Sequence, residues 1–391
     1  MSRTIEPETV DSARHPLGRD RTSLEGNTQR RVSFSLEQRP SSRFRYQLVT
    51  NAVALAFAFA LGGLLLVAAD SNPFDVYREM VSAAFGSTRA LRDTLRTTTP
   101  LLLTGLAVTV AFRMGLWSIG AEGQLYAGAI GGTAAALLLG PSLPAPLAVG
   151  VVLVAAATSG AVWATAASVP RALFGTDEVV TTLMLNFIAL GIMNYLIFGS
   201  VSYWRDRTNL GYPAGKVIPE STRLDLYFDL FDAGLVLAIG LALVIAFVLR
   251  RTGWGYQLRV AGVSRAAAGY AGISATRQII SVFAVSGALA GIAGGVYVMS
   301  VTFALEPRAI AINLGFAGIV IAAVALLDPL LVLVIGFLMG ALLSVGPSLS
   351  ILGVSPAVVV AIQGIILISV AGAQFFIRYR IRITRSGAAA S

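Results

Sequence analysis

The stretch LVTNAVALAFAFALGGLLLVAA, Leu48 to Ala69, decides the fold. It carries no charge, and about 20 apolar residues at 1.5 Å rise each are enough for a helix to cross the hydrocarbon core of a bilayer. The segment must be helical there, because lipid offers no partner to an exposed backbone N–H or C=O. Further apolar runs follow at approximately 99–113, 122–140, 146–167, 178–199, 231–249, 278–300, 313–327, 330–346 and 356–376. The predicted fold class is all-α: a polytopic membrane helix bundle of about ten transmembrane helices, some broken or re-entrant. The runs at 99–113 and 313–327 are short, so these are the spans expected to be broken. Irregular backbone survives at membrane depth only where protein or a water-filled cavity satisfies it.

Composition agrees. Of 391 residues, 56% are hydrophobic and 13% charged, whereas roughly a quarter of a soluble chain is charged. The formal charge of +9 is carried almost wholly by arginine, Lys216 being the only lysine. Its distribution argues against nucleic acid as a partner, because the basic residues gather in the N-terminal tail, one central loop and the C-terminal end. There is no cysteine, and the single histidine, His15, lies in the polar tail. Disulfides, thiolate chemistry and cysteine metal sites are therefore excluded, and no histidine is available within the spans. Neither a metal nor a cofactor is expected.

Residues 1–45 are polar and arginine-rich, and read as a disordered cytoplasmic tail. No apolar core of a signal peptide precedes Leu48. Residues 46–378 form the transmembrane domain and 379–391 a cytoplasmic C-terminal tail. Orientation follows from the excess of Lys and Arg on the inner side. Arg30, Arg31, Arg39, Arg43 and Arg45 precede the first span; loop 250–277 holds Arg250, Arg251, Arg259, Arg265 and Arg277 with no acid; and Arg378, Arg380, Arg382 and Arg385 follow the last span. Loop 200–230 instead balances Arg205, Arg207, Lys216 and Arg223 against Asp206, Glu220, Asp225 and Asp229. Ten alternating spans put the acid-free segments and both termini inside, and the balanced loop outside. Small residues four apart (Gly128 and Gly132; Gly287, Gly291 and Gly295; Gly336 and Gly340) predict close helix crossings.

No engine is visible. A phosphate loop ends in Gly-Lys-Ser/Thr, but Lys216 stands in GYPAGKV with no hydroxyl after it. An ion-coupled carrier keeps ionisable residues at the bilayer midplane, where charge is costly and retained for function. Arg113, Glu122, Asp177, Glu178 and Asp328 all fall near predicted helix ends. Elimination favours a non-catalytic conduit turned by a partner.

Five stretches carry a family resemblance: TPLLLTGLA (Thr99 onward) running into AFRMGLWSIGAEGQ (Ala111–Gln124); GTDEVVTTLMLN (Gly175–Asn186); LRVAG (Leu258–Gly262) followed by AAGYAGI (Ala267–Ile273); GFAGI (Gly315–Ile319); and IQGI (Ile362–Ile365). Together, over roughly residues 75–370, the chain resembles the branched-chain amino acid/ribose-type ABC permeases, in particular the permeases of nucleoside importers that work with basic-membrane-protein-type lipoproteins. It departs from their pattern at Ser264-Arg265, where Asn-Pro is frequent, and at Ala317, where aspartate is.

The resemblance implies the permease subunit of an ATP-driven importer in a prokaryotic plasma membrane. Its partners would be a second homologous permease, a cytoplasmic ABC ATPase, an extracytoplasmic solute-binding lipoprotein and membrane lipid. Nucleosides are the leading solute, with ribose-like sugars and branched-chain amino acids behind; an ion-coupled secondary transporter is the rival from another class. Loop 250–277 resembles the coupling element, with Arg259, Gly262, Arg265, Ala267, Tyr270 and Gly272 facing the ATPase. Ser264 is placed to cap a short helix through the alanines. Glu122, Gln124, Thr182, Asn186, Asn313 and Gln363 are the candidate substrate-pathway residues. Each has a structural reading beside it. Glu122 could stabilise a helix N-terminus or pair with Arg113. Thr176 could cap a helix with Asp177 and Glu178 in its first turn, and Asn186 lies too deep in its span to be a cap.

Overall fold

The computed structural model describes residues 32–38, 44–199, 203–208, 213–224, 226–227, 229–310, 312–351 and 353–385. The chain forms two compact units, Met1–Pro40 with Tyr379–Ser391, and Ser41–Arg378.

In the first unit, strand β1 (Val32–Gln38) pairs antiparallel with β4 (Tyr379–Arg385). The register sets Phe34 opposite Ile383, Leu36 opposite Ile381 and Glu37 opposite Arg380. The expectation of a tail without regular structure through residue 45 is thus corrected over 32–38. The period-two alternation of VSFSLEQ and YRIRITR is a strand signal that the arginine-rich composition hides.

The second unit is helical. In chain order it comprises α1 (Phe44–Ala68), α2 (Pro73–Phe85), α3 (Thr88–Arg113), α4 (Ala121–Leu139), α5 (Ala145–Phe174), α6 (Glu178–Phe198), a small ladder of β2 (Leu226–Tyr227) with β3 (Phe231–Asp232), and α7 (Ala233–Arg251). There follow α8 (Gly253–Val263), α9 (Arg265–Tyr270), α10 (Ala275–Tyr297), α11 (Pro307–Ile310), α12 (Leu314–Val324), α13 (Pro329–Ser344), α14 (Gly346–Ile351) and α15 (Pro356–Arg378). Among the described residues, eight helical segments are long and apolar enough to cross a membrane, or nine with α1 and α2 counted as one span bent by 118°. A shorter apolar stretch, Ala357–Ile366, lies in α15. An all-α polytopic bundle is therefore observed, its eight or nine candidate spans among the described residues consistent with the expected count of about ten.

Two boundaries differ from the apolar runs. Helix α3 begins at Thr88, not near residue 99, and continues through Pro100. Its first three turns, TRALRDTLRTT, are too polar for a hydropathy reading, yet Ser87 caps them by accepting from the Ala90 N–H at 3.1 Å. The run at 313–327 is broken as expected: α12 has 11 residues, about 16 Å of helix and half a membrane crossing. Before it, α10 ends in a π turn at Val298–Thr302, and Phe303 and Asn313 take left-handed φ of 55° and 63°.

Helix α10 is the hub and packs against α3, α4 and α5. A Cβ on Gly128 of α4 would run into the Gly291 backbone of α10, and one on Gly160 of α5 would meet the Gly287 carbonyl. Only glycine permits these approaches. Without a hydrophobic drive between helices in lipid, such close packing supplies much of the attraction.

Candidate functional site

Three places in the helical unit matter: the α3–α4 turn, a cavity beside the broken span, and the segment between α7 and α10.

The turn Met114–Gly120 is irregular backbone, and one face of α6 satisfies it. Glu178, Thr182 and Asn186 are four residues apart and buried. Glu178 Oε1 accepts from Trp117 N–H at 3.3 Å and Thr182 Oγ1 from Ile119 N–H at 3.2 Å. Asn186 Oδ1 accepts from Gly123 N–H at 2.8 Å, while its Nδ2 donates to the Ile119 carbonyl at 2.9 Å. Glu178 also pairs with Arg171 at 3.0 Å. Thr182 and Asn186, expected on a substrate pathway, thus both hydrogen-bond this turn. The cap of α6 is Asp177, which accepts from Val179 N–H, and not Thr176.

Glu122 is 1% exposed. It accepts from the Tyr126 hydroxyl at 2.5 Å and from Gly315 N–H at 2.5 Å. It does not pair with Arg113, which donates to the Leu327 carbonyl instead. Glu122 therefore joins the first turn of α4 to the first turn of α12, the half-helix of the broken span. Discontinuous helices whose ends meet inside the bundle are a recurring way to build a transport site. Gln124 is buried beside it, and its Oε1 has no hydrogen-bond partner among the described residues.

A cavity of about 700 Å³ opens beside this break, within the usual range of small-molecule sites. Its walls come from α3 (Asp93, Arg96, Thr97), the approach to α12 (Ile312, Asn313, Leu314), α13 and α14 (Ser344, Ser348) and α15 (Val359, Gln363). Of the expected pathway residues, only Asn313 and Gln363 reach it. Gln363 Nε2 donates to the Leu342 carbonyl at 3.0 Å. Asn313 makes no side-chain capping bond to α12 and is part of the cavity lining. Asparagine tolerates its left-handed backbone better than most residues. Asp93, Arg96 and Thr97 were not anticipated, because the polar start of α3 falls outside every apolar run. Their spacing at i, i+3 and i+4 puts them on one helix face, which was the available signal.

At the other end of α3, Arg113 donates through Nε to Leu327 O at 2.8 Å, and Arg250 pairs with Asp328 at 2.5 Å. Burial pushes the Asp328 carboxyl up, but the Leu330 N–H and Arg250 outweigh it and hold the group below the usual carboxylate range. Leu326 and Leu327 both take left-handed φ, 53° and 59°, at a cost of roughly 1–2 kcal/mol each. Helix α8 lies against this end, since a Cβ on Gly262 would sit 2.8 Å from the Arg113 carbonyl. Ser264 caps α9 as expected, its Oγ accepting from Ala267 N–H at 3.2 Å. Ala267 and Gly272 are exposed, and Tyr270 is 95% exposed. Arg265 stands at the first position of the same short helix. Arg259 instead turns back to donate to the Leu249 carbonyl at 2.5 Å.

Residues 90–371 match the family model of the permease component of branched-chain amino acid transport systems. The chain belongs to that permease family. It is 31% identical over 334 residues to the nucleoside ABC transporter permease NupB of Lactococcus lactis, covering 83% of this chain and 91% of the relative. It is equally identical, over 345 residues, to a glucose ABC transporter permease of Haloferax volcanii, covering 85% and 90%. Identity to the guanosine ABC transporter permease NupP of Bacillus subtilis is 30% over 284 residues, covering 70% and 78%. As an ABC transporter permease with several apolar helices, the chain is a multi-pass membrane protein. Membership also implies a separate ATPase and a solute-binding protein as partners.

Proposed function

We propose that this permease forms the translocation path of a nucleoside importer, with the cavity between α3, α12, α14 and α15 as the solute station. The cavity carries the reading: it sits at the break before α12, and it combines one cation, one anion, two amides and several hydroxyls with aliphatic walls. Such a lining has little net charge and many donors and acceptors, which suits a neutral, hydrogen-bonding solute. Sugars share that chemistry, and one relative is named for glucose; the nucleoside reading is favoured because two of the three relatives above are named for nucleosides.

The chain itself is non-catalytic. Helices α8 and α9 are the docking element for the ATPase, with Arg265, Ala267, Tyr270 and Gly272 at the contact and Gly262 and Arg259 fixing the element to the bundle. ATP-driven closure of the ATPase pair shifts a pre-existing equilibrium of the permease. The shift passes through Arg113 and Arg250 to the strained turn at Leu326–Asp328, and along α12 to Asn313. A second permease chain completes the path, in a plasma membrane with both termini on the cytoplasmic side. Competition is the test. In cells expressing the complete importer, excess unlabelled nucleoside should suppress labelled uridine or guanosine uptake, and ribose, glucose and leucine should not. Suppression by a sugar alone would replace the nucleoside reading.

A further inference from the structure

Arg96 is the cation of the cavity lining, and it has no committed partner among the described residues. Its Nε is sealed from solvent and finds no hydrogen-bond acceptor among the described residues, and it joins no ion pair within 4 Å there. Asp232 attracts it without a direct ion pair within 4 Å; its Oδ1 caps α7, while its buried Oδ2 has no hydrogen-bond partner among the described residues. A buried donor on a charged group left unmade is costly, so such a group is retained where a ligand completes it. The neighbours fit this. Thr97 already donates to the Asp93 carbonyl at 3.0 Å, while Asp93 is exposed with its carboxylate free of ion pairs among the described residues. The lining holds no aromatic side chain among the described residues, so a base cannot be read there by stacking on a ring. It has to be read at its edge.

We propose that Arg96 is the specificity-determining residue of the path, donating its planar fork to the carbonyl edge of an oxo-bearing nucleobase while Asp93 accepts from ribose hydroxyls. The inference rests on the nucleoside reading. Guanidinium paired with the O6/N7 edge of guanine is the commonest side-chain contact to a base, and the fork makes Arg unlike Lys at such a site. An adenine edge presents an amino donor where the oxo acceptor would be, and it sets donor against donor. Guanosine and inosine should therefore be preferred over adenosine by about tenfold or more.

The chain has no cysteine, so one introduced at Ser348, on the cavity wall, is the permease's single thiol, and its labelling is read on the permease band with the unsubstituted importer as the blank. In the complete importer in membranes, the rate at which Ser348→Cys reacts with a methanethiosulfonate reagent is measured against guanosine, inosine, adenosine and ribose. Guanosine and inosine should slow labelling at concentrations about tenfold below adenosine, and adding Arg96→Met should erase that ratio. Arg96→Lys keeps the charge and loses the fork; it guards against a misfolded Arg96→Met and should retain less than half of the discrimination on a logarithmic scale. An unchanged guanosine-to-adenosine ratio in either assembled variant overturns the role of Arg96 and leaves the nucleoside reading standing. Protection by ribose with none by any nucleoside overturns that reading, and the inference with it.

Discussion

Asn186→Leu separates a structural from a solute-contacting role at the α3–α4 turn. Asn186 is 5% exposed and spends both ends of its amide on backbone, accepting from Gly123 N–H at 2.8 Å and donating to Ile119 C=O at 2.9 Å. Gly123 lies in the first turn of α4, where an N–H has no intrahelical acceptor. Leucine keeps the branch at Cγ but is larger and apolar, and it leaves both backbone groups buried and unpaired. At roughly 1–3 kcal/mol for each orphan, the substitution should destabilise the fold by about 2–6 kcal/mol. Asn186→Asp keeps the acceptor for Gly123 and should show the smaller loss in the neutral form. The assay is the thermal midpoint of the purified permease in nanodiscs, read with amide hydrogen exchange over 114–124. The midpoint should fall and exchange in that segment should quicken, while the KM for uptake by the surviving protein stays as in the wild type. A wild-type midpoint with a raised KM would refute this reasoning and return Asn186 to the solute path.

Gly128→Ala forces a methyl into the Gly291 backbone, so the yield of monodisperse permease should drop severalfold; full recovery with an unshifted midpoint would contradict the close crossing. Tyr270→Ala combined with Ala267→Glu alters only exposed positions of α9. Co-purification of the ATPase should be lost with the permease midpoint unchanged, and retention of both complex and uptake would contradict the docking role. Asp328 has a lowered folded-state pKa, so its contribution is present above the unfolded value of about 3.9 and lost as pH falls through the folded one. The pair is half-exposed at Arg250 and partly exposed at Asp328, and solvent screening limits it to about 1 kcal/mol. Asp328→Asn should thus flatten the acid limb of the midpoint-against-pH curve as pH falls below the unfolded value, and an identical limb in the variant would assign it elsewhere.

Much of the fold was legible because lipid imposes a simple rule. Leu48–Ala69 and the later apolar runs can only be helices there, and the Gly-x-x-x-Gly pairs announced the crossings at Gly128 and Gly291. Ser264 was legible as a cap because the residues after it are strong helix formers. The start of α3 was not legible. Asp93, Arg96 and Thr97 read as loop by hydropathy, since the signal averages over a window and ignores that one polar face can line a cavity. Thr182 and Asn186 show the opposite difficulty: polar residues in mid-span suggest a pathway, but both also bond the irregular turn 114–120. Which polar groups serve irregular backbone and which face a solute depends on the partner segment, and no single helix states that. The strand at 32–38 was hidden because it pairs with residues almost 350 positions away.

The most direct measurement is uptake by the chain in sealed proteoliposomes, reconstituted alone and with its ATPase and binding protein. Labelled nucleoside should accumulate only when the ATPase, ATP on its side of the membrane and the binding protein are all present, and a protonophore should leave that accumulation intact. Accumulation by the chain alone, abolished by the protonophore, would contradict a conduit driven from outside itself.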